Sequence, residues 1–331
     1  MEIKAADVAK LRQMTGAGMM DCKKALVEAE GDYERAKEII REKGKLVAAK
    51  RADRETSEGR VIAKVNGDKA IVVGLGCETD FVAKNEEFKA LAEAIADAAI
   101  ASFPADKDAL MACVLADGRT VEAAVTEQTG KTGEKHQIAG YEVVEAPYIV
   151  AYMHNVTGKL AAVVGFNKEF DAQVAKGVAM QVASMNPVAV SAESVPQSVI
   201  DTELKTATEK TKEELVQKAV DAALTKAGIN PAHVDSEAHI ESNTAKGWIT
   251  PEQAEQAREI IKTVSAEKAA NLPEQMVANI AKGRLQKFFK EQTLEEQGYQ
   301  MGDGKTSVKD VMKAADAEAK IVTFKRLSLA D

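Results

Sequence analysis

The chain has 331 residues, of which 45% are hydrophobic, 29% charged and only 4% aromatic. This composition is that of a globular protein with room for two or three domains, and it excludes an intrinsically disordered chain. The formal net charge is −8. Because surfaces that bind phosphate backbones are basic, this charge weighs against nucleic acid as the main partner.

Three cysteines lie far apart in the sequence, at Cys22, Cys77 and Cys113. Their number and spacing fit neither a disulfide framework nor a zinc site, and are typical of a reducing compartment. The N-terminal sequence MEIKAADVAK carries charges where a signal peptide needs an apolar stretch. No run approaches the ~18 apolar residues of a membrane span. We therefore expect a cytoplasmic protein without a membrane partner.

Residues 3–43 have the pattern of three short helices. A glycine-rich segment at 15–18, which we call the glycine turn, separates the first two, and a Gly-Asp pair at 31–32 separates the last two. Asp7 is expected to cap the first helix. Residues 41–58 are polar and mostly basic, which predicts a helical extension or a linker to the next domain.

An internal repeat follows, in which a hairpin of two strands is followed by a helix. The two copies are residues 60–66 and 70–76 with a helix through 81–98, then residues 147–153 and 160–166 with a helix through 170–182. Alternating polar and apolar residues indicate the strand at 60–66, and a mostly apolar run indicates a buried strand at 70–76. Residues 147–153 and 160–166 repeat these two strands, and a three-to-four-residue spacing indicates the helices. The repeat predicts an α+β fold with two related subdomains, each an antiparallel sheet covered by helices.

The region 201–292 is mostly helical in pattern. Helices are predicted at residues 201–227, 251–270 and 273–291, with a polar stretch between the first two. Hydrophobic residues are sparse in the first of them, which favours a projecting hairpin over a core element. Residues 307–319 then predict a helix, and residues 320–327 a strand that could complete the second sheet.

Two fragments of the form Gly-Lys-Thr, at 130–132 and 304–306, resemble part of a phosphate-binding loop. A true loop needs a further glycine five positions earlier, where this chain has Val125 and Tyr299. We expect flexible turns at both places and no direct nucleotide site.

Candidate catalytic and metal-binding residues are few. The four histidines, at His136, His154, His233 and His239, lie outside any metal-ligand spacing, and His154 falls in a predicted hairpin turn. Cys77 could act as a nucleophile with a histidine as base, but its acidic neighbour Glu78 should raise the thiol pKa. A small buried hydrophobic role for Cys77 is favoured. The sequence predicts no catalytic residue, no metal and no cofactor.

Three segments together resemble the translation elongation factor Ts family. They are LRQMTGAGMMDCKKAL at 11–26, CETDFVAKN at 77–85, and GRLQKF at 283–288 with the residues that follow it to 308. All of the chain except about 200–281 follows the family layout. The C-terminal helical module of some members is not expected after the closing strand.

The resemblance implies a domain order. A ubiquitin-associated-like three-helix domain with its linker would occupy residues 1–54, and the first core subdomain 55–141. The second core subdomain would comprise 142–200 and 282–331. A helical, coiled-coil-like protrusion, longer than in familiar bacterial members, would be inserted at 201–281.

The resemblance also implies a function without catalysis. The family member would be a guanine nucleotide exchange factor that binds the GTPase elongation factor Tu in its GDP form, promotes release of GDP and magnesium, and is displaced when GTP binds. Asp80 and Phe81 would insert near the nucleotide site of the partner. Further contact residues implied by the resemblance are Thr79, Val82, Arg12, Met19, Met20, Lys23 and His154. A homodimer formed through the complex remains open.

Other interpretations of the same residues compete with this one. Thr79 or Asp80 could merely cap a helix while Phe81 packs inside, and the methionines could be core residues. Two neighbouring methionines cannot both face one helical core, however, so at least one is expected to be exposed. The rival functions are a ubiquitin-associated-type helical adaptor without exchange activity, and an enzyme that uses Cys77.

Overall fold

The structure is a computed structural model that describes residues 3–330. Its contacts divide into two units, one made of residues 1–190 and 294–331, the other of residues 191–293. The first unit combines helices with antiparallel strands, which confirms the predicted α+β class. No helix within the described range is both long enough and apolar enough to cross a bilayer.

The chain begins with a three-helix bundle. Its helices are α1 (Ala5–Thr15), α2 (Met19–Glu28) and α3 (Tyr33–Lys50). Gly16 ends α1 with a φ of +67°, and Asp32 caps α3 by accepting two backbone N–H groups. Asp7 helps to cap α1, as expected, but from inside the helix: the N-cap residue is Lys4, and the Asp7 carboxylate accepts the Lys4 N–H at 3.1 Å in a capping box.

The first sheet and its helices come next. They are β1 (Glu58–Asn66), β2 (Lys69–Cys77), α4 (Asp80–Ala83), α5 (Glu86–Ser102), α6 (Lys107–Ala112), α7 (Val121–Thr132) and β3 (Gln137–Glu145). The strands are antiparallel in the order β1-β2-β3. The predicted hairpin is confirmed. The single helix predicted through 81–98 is wrong at its start, because the chain forms the short α4 first and α5 begins only at Glu86. Neither α6, α7 nor β3 was predicted. The fragment at 130–132 is the last turn of α7, so the expected flexible turn there is wrong.

The second copy of the repeat has the predicted elements. These are β4 (Tyr148–Met153), β5 (Leu160–Phe166) and α8 (Ala172–Met185). Phe166 and Val164 of β5 pack under α8 through Val178 and Val182, all fully buried. The long apolar run of β5 therefore reflects burial on both faces of the sheet.

The unit 191–293 consists of four α-helices. They are α9 (Gln197–Lys226), α10 (Glu237–Ala245), α11 (Pro251–Ala270) and α12 (Glu274–Gln292). The predicted polar stretch between α9 and α11 contains α10, and it closes a small core with the end of α9. Members of this core include Val220, Leu224, Ile229, Val234, Ile240 and Ile249. The expectation of a hairpin with little core is therefore wrong at this end of the unit. The sequence did not reveal this core, because these six residues are too far apart along the chain to form a helical stripe.

The chain ends with α13 (Val308–Ala315) and β6 (Ile321–Ser328), and β6 pairs antiparallel with β5 to complete the second sheet as predicted. Each sheet has helices on one face. Their other faces pack together through residues such as Val61 and Val72 from the first sheet and Ala161 and Val163 from the second. The first unit is thus a layered structure of helix, sheet, sheet and helix.

The bundle is joined to the first sheet by a close crossing of α3 and α7. A Cβ on Gly44 would lie 3.1 Å from the carbonyl oxygen of Thr126, and one on Gly130 would lie 3.1 Å from the Cα of Gly44. Neither helix can accept a large side chain at this point.

We expect Gly44→Leu to lower the free energy of unfolding by about 1–3 kcal/mol, because overpacking outweighs the gain in helix propensity. The matched control is Gly283→Leu on α12, where a Cβ would meet no atom within 4 Å, and this change should not destabilise. Urea unfolding with amide exchange in α3 measures both. Equal effects of the two substitutions would contradict the tight crossing.

Candidate functional site

Phe81 is a highly exposed aromatic side chain in the short segment between β2 and α5. It is 83% exposed and lies in the single turn of α4, which Thr79 caps by accepting the Val82 N–H at 3.5 Å. Val82 and Ala83, on the other side of this turn, pack against the core of the first sheet. The interpretation in which Phe81 packs inside is therefore wrong, although capping by Thr79 is confirmed.

Asp80 precedes Phe81 and stays at the surface. Lys84 donates a hydrogen bond to its carboxylate at 2.6 Å, and this bond lowers the pKa of Asp80 below its usual value. The pair spans one turn of helix and is exposed to solvent, so it orients the acid more than it stabilises the fold.

The segment before α4 is tied to the end of α3. The Arg51 guanidinium donates to both carboxylate oxygens of Glu78 at 2.8 Å. Glu78 also accepts the N–H of Lys135 at 2.6 Å, and these contacts lower its pKa despite partial burial. The ammonium group of Lys135 in turn donates to the carbonyls of Ala52 and Arg54.

The glycine turn presents the second group of candidate residues. Met19 is 48% and Met20 65% exposed at the start of α2, and both Arg12 and Lys23 are exposed. The core positions of the bundle are filled by Leu11, Cys22, Leu26 and other residues. The methionines are thus surface residues, and flexible thioethers of this kind suit a protein interface.

One side chain connects the glycine turn to the region of α4. Lys131, in the last turn of α7, packs so closely on Gly16 that a Cβ there would lie 2.4 Å from its Cε atom. The same Lys131 ammonium lies 3.9 Å from the carboxylate of Glu87, in the first turn of α5. Since α5 starts directly after α4, the structure brings the two groups of candidate residues to one region of the unit.

His154 lies in the hairpin between β4 and β5, as predicted. Its Nδ1 is hydrogen-bonded to the Tyr152 hydroxyl at 3.0 Å. The hairpin docks on the first sheet, since Gly158 accepts the N–H of Val61 at 2.8 Å, and its tip residue Val156 is highly exposed. His154 is therefore held at a place where the two sheets meet.

Cys77 is buried at the end of β2, and its Sγ donates to the Thr79 carbonyl at 3.3 Å. Burial, followed by the nearby carboxylates of Glu134 and Glu58, raises the pKa of the thiol to about 12. The predicted direction is confirmed, but the acid named for it is wrong, because Glu78 is turned towards Arg51. The buried His136 hydrogen-bonds Glu134 and Thr129 rather than this thiol.

We expect Cys77 to react very slowly with iodoacetamide in the native protein. A pKa of about 12 leaves a thiolate fraction of about 10⁻⁴ at pH 8. The fraction should rise tenfold for each pH unit while the fold is intact. Mass spectrometry over time should show the partly exposed Cys113 modified first. Rapid modification of Cys77 at neutral pH would support the enzyme alternative instead.

Two further features bear on chemistry. Within residues 3–330, no group of three or more His, Cys, Asp and Glu side chains is arranged to hold a metal ion. The fragment at 304–306 is a turn, as predicted. The Asp303 carboxylate accepts the N–H groups of Lys305 and Thr306, so these amides already have an anionic partner.

The fold and these sites define an α+β protein that presents exposed apolar side chains on hydrogen-bonded turns, a kind of surface that is typical of proteins that bind other macromolecules. The family model for elongation factor TS matches residues 78–229 and 217–331. The chain is 55% identical over 329 residues to the elongation factor Ts of Parabacteroides distasonis, 56% to that of Phocaeicola vulgatus and, over 332 residues, 40% to that of Christiangramia forsetii. Each alignment covers 99% of both chains.

The chain belongs to the elongation factor Ts family. Since the alignments cover 99% of both chains, these relatives also contain the region 201–281.

Proposed function

We propose that this protein is a guanine nucleotide exchange factor for elongation factor Tu, acting in the cytoplasm during protein synthesis. Relatives named elongation factor Ts align with this chain over 99% of both sequences. The observation that carries the proposal is the exposure of Phe81, since the rest of its turn is anchored on the core of the first sheet. A large apolar ring held away from its own core contributes little buried surface to the free protein and is suited to a pocket on a partner.

Exchange by such a protein requires differential binding and no acid or base. A factor that binds the nucleotide-free GTPase better than the GDP-bound form weakens GDP binding by the same factor. Insertion of Phe81, with Asp80, Thr79 and Val82 around it, would stabilise a packing of the partner in which the GDP and magnesium sites are disturbed. Rebinding of GTP would then displace the factor.

The remaining candidate residues would supply affinity. Arg12, Met19, Met20 and Lys23 would contact the GTPase from the glycine turn, and His154 would make a separate contact from the second sheet. In this scheme residues 1–54 act as a docking domain and the two core subdomains, 55–141 and 142–200 with 282–331, carry the other contacts. The protrusion at 201–281 would be accessory.

The test is the release of a fluorescent GDP analogue from purified elongation factor Tu in the presence of excess unlabelled GDP. The protein should accelerate release, and the rate should saturate with its concentration. Binding without acceleration would instead identify the adaptor alternative. Neither binding nor acceleration would overturn both.

A further inference from the structure

Two loops in the first unit are joined by reciprocal hydrogen bonds, in which a carboxylate of each loop accepts a backbone N–H of the other. The loop before α4 gives the Thr79 N–H to the Glu134 carboxylate at 3.1 Å. The loop between α7 and β3 gives the Lys135 N–H to the Glu78 carboxylate at 2.6 Å. Each loop therefore satisfies a backbone donor of the other with a charged acceptor, the stronger kind of hydrogen bond.

Glu134 also bonds the hydroxyl of Thr79. The Thr79 Oγ1–H donates to Glu134 Oε1 at 2.6 Å, in addition to the backbone bond to Oε2. A hydroxyl has a single proton to donate and two lone pairs that accept. Since the proton is committed to Glu134, the lone pairs are free for the α4 side, where the Val82 N–H is accepted. Glu134 therefore orients the group that caps α4.

Helix α4 needs such an anchor. It has only four residues, and a helix of one turn does not persist in water without tertiary contacts. Its central residue Phe81 faces solvent and contributes no core contact that would fix the turn. The position of the ring thus depends on Thr79 at one end and on Val82 and Ala83 underneath.

Glu134 is itself held in place. Its N–H donates to the Thr132 hydroxyl at 3.1 Å, and its carbonyl accepts from Nδ1 of the buried His136 at 2.9 Å. The His136 ring packs against Phe88 in the core of the first sheet, with ring centroids 5.6 Å apart. The anchor of α4 is therefore connected to the buried core of the first sheet.

We infer that Glu134 is a positioning residue, which holds Thr79 so that α4 presents Phe81 in one orientation for insertion into the partner. This inference rests on the proposed function for its consequence, but the anchoring of α4 can be measured on the protein alone. A preorganised ring loses less conformational freedom on insertion, so removal of the anchor lowers the rate of exchange.

The experiment uses Glu134→Gln in the full chain, since the amide keeps the size of the side chain but offers a single acceptor and a competing donor. Amide exchange of Val82 and Ala83 should become about tenfold faster, in line with loss of a charge-assisted hydrogen bond. The maximal rate of stimulated GDP release should fall about tenfold, while the concentration for half-maximal effect changes less than threefold. Glu122→Gln, at an exposed position of α7, is the matched control and should change neither quantity.

Thr79→Val is the second variant, because it removes the hydroxyl at nearly constant volume. It should reproduce the faster amide exchange, and the double variant should be hardly worse than either single one, since both remove the same anchor. Additive effects in the double variant would overturn the inference. So would wild-type amide protection in Glu134→Gln, or faster amide exchange with an unchanged maximal rate of release.

The two proposals fail in different ways. If the unmodified protein did not accelerate GDP release, the proposed function would be overturned. Amide exchange in the two single variants and the double variant would still show whether Glu134 anchors α4. If release is accelerated but Glu134→Gln behaves like the unmodified protein in both assays, only the positioning role is overturned.

Discussion

Phe81→Ala is expected to slow stimulated GDP release by roughly 30- to 150-fold while the melting temperature stays nearly constant. The ring is 83% exposed in the free protein, so its removal leaves no cavity. In the complex it would lose a large apolar contact, and a loss of ~2–3 kcal/mol corresponds to this range. Release of fluorescent GDP at saturating factor concentration gives the rate, and a thermal melt gives the stability.

The matched control is Phe88→Ala, seven residues further along the chain. Phe88 is fully buried in the core of the first sheet, so its truncation should cost about 3–5 kcal/mol of folding stability. The remaining folded protein should lose far less exchange activity than Phe81→Ala, because Phe88 does not reach the surface and is linked to Thr79 only through His136 and Glu134. A strongly destabilised Phe81→Ala protein that still exchanges normally when folded would falsify the proposed insertion of Phe81 into the partner.

The repeated hairpins could be predicted from the sequence because each joins two short strand-like segments, one of them a run of apolar residues, through a turn. Strand β3 could not be predicted in this way. Gly140 interrupts the apolar pattern of β3, and the structure shows why it is there. A Cβ at this position would lie 2.4 Å from Cδ1 of Leu327, which comes from the facing sheet. The requirement is set by packing between two sheets, and no local pattern reveals it.

Helix α7 was missed for a similar reason. Its sequence VEAAVTEQTGKT contains threonines and a glycine that favour other conformations. Gly130 is needed where α7 crosses α3 at Gly44, a contact between segments more than eighty residues apart. Local propensity therefore favoured a turn at 130–132, whereas packing of α7 against α3 stabilises a helix there.

The candidate site could be predicted in part. Two adjacent methionines implied that one was exposed, and the structure exposes both. Whether Phe81 was inside or outside was undecided, because a four-residue helix is too short to show a periodic pattern. Glu134 could not be recognised at all: it is one of 52 acidic residues, and it meets Thr79 only because the loops after β2 and α7 lie side by side.

The double variant Met19→Ala/Met20→Ala is expected to raise the concentration of factor needed for half-maximal GDP release by about 30-fold, with an unchanged maximal rate. Fully burying one methionine contributes ~1.5–3 kcal/mol, so partial burial of two would give about 2 kcal/mol, which corresponds to this factor. The maximal rate should persist because Phe81 and its turn are intact. Titration of the GTPase with the variant measures both quantities.

Met276→Ala is the matched control, because Met276 on α12 has the same exposure as Met19, 48%, and belongs to the unit 191–293, which we propose to be accessory to exchange. Neither change should move the melting temperature by much, since exposed side chains contribute little to the folded state. A fall in maximal rate with an unchanged half-maximal concentration would contradict the division of roles between the glycine turn and α4. Such a result would mean that the methionines act on the nucleotide site itself, whereas a shift confined to the half-maximal concentration assigns them to docking.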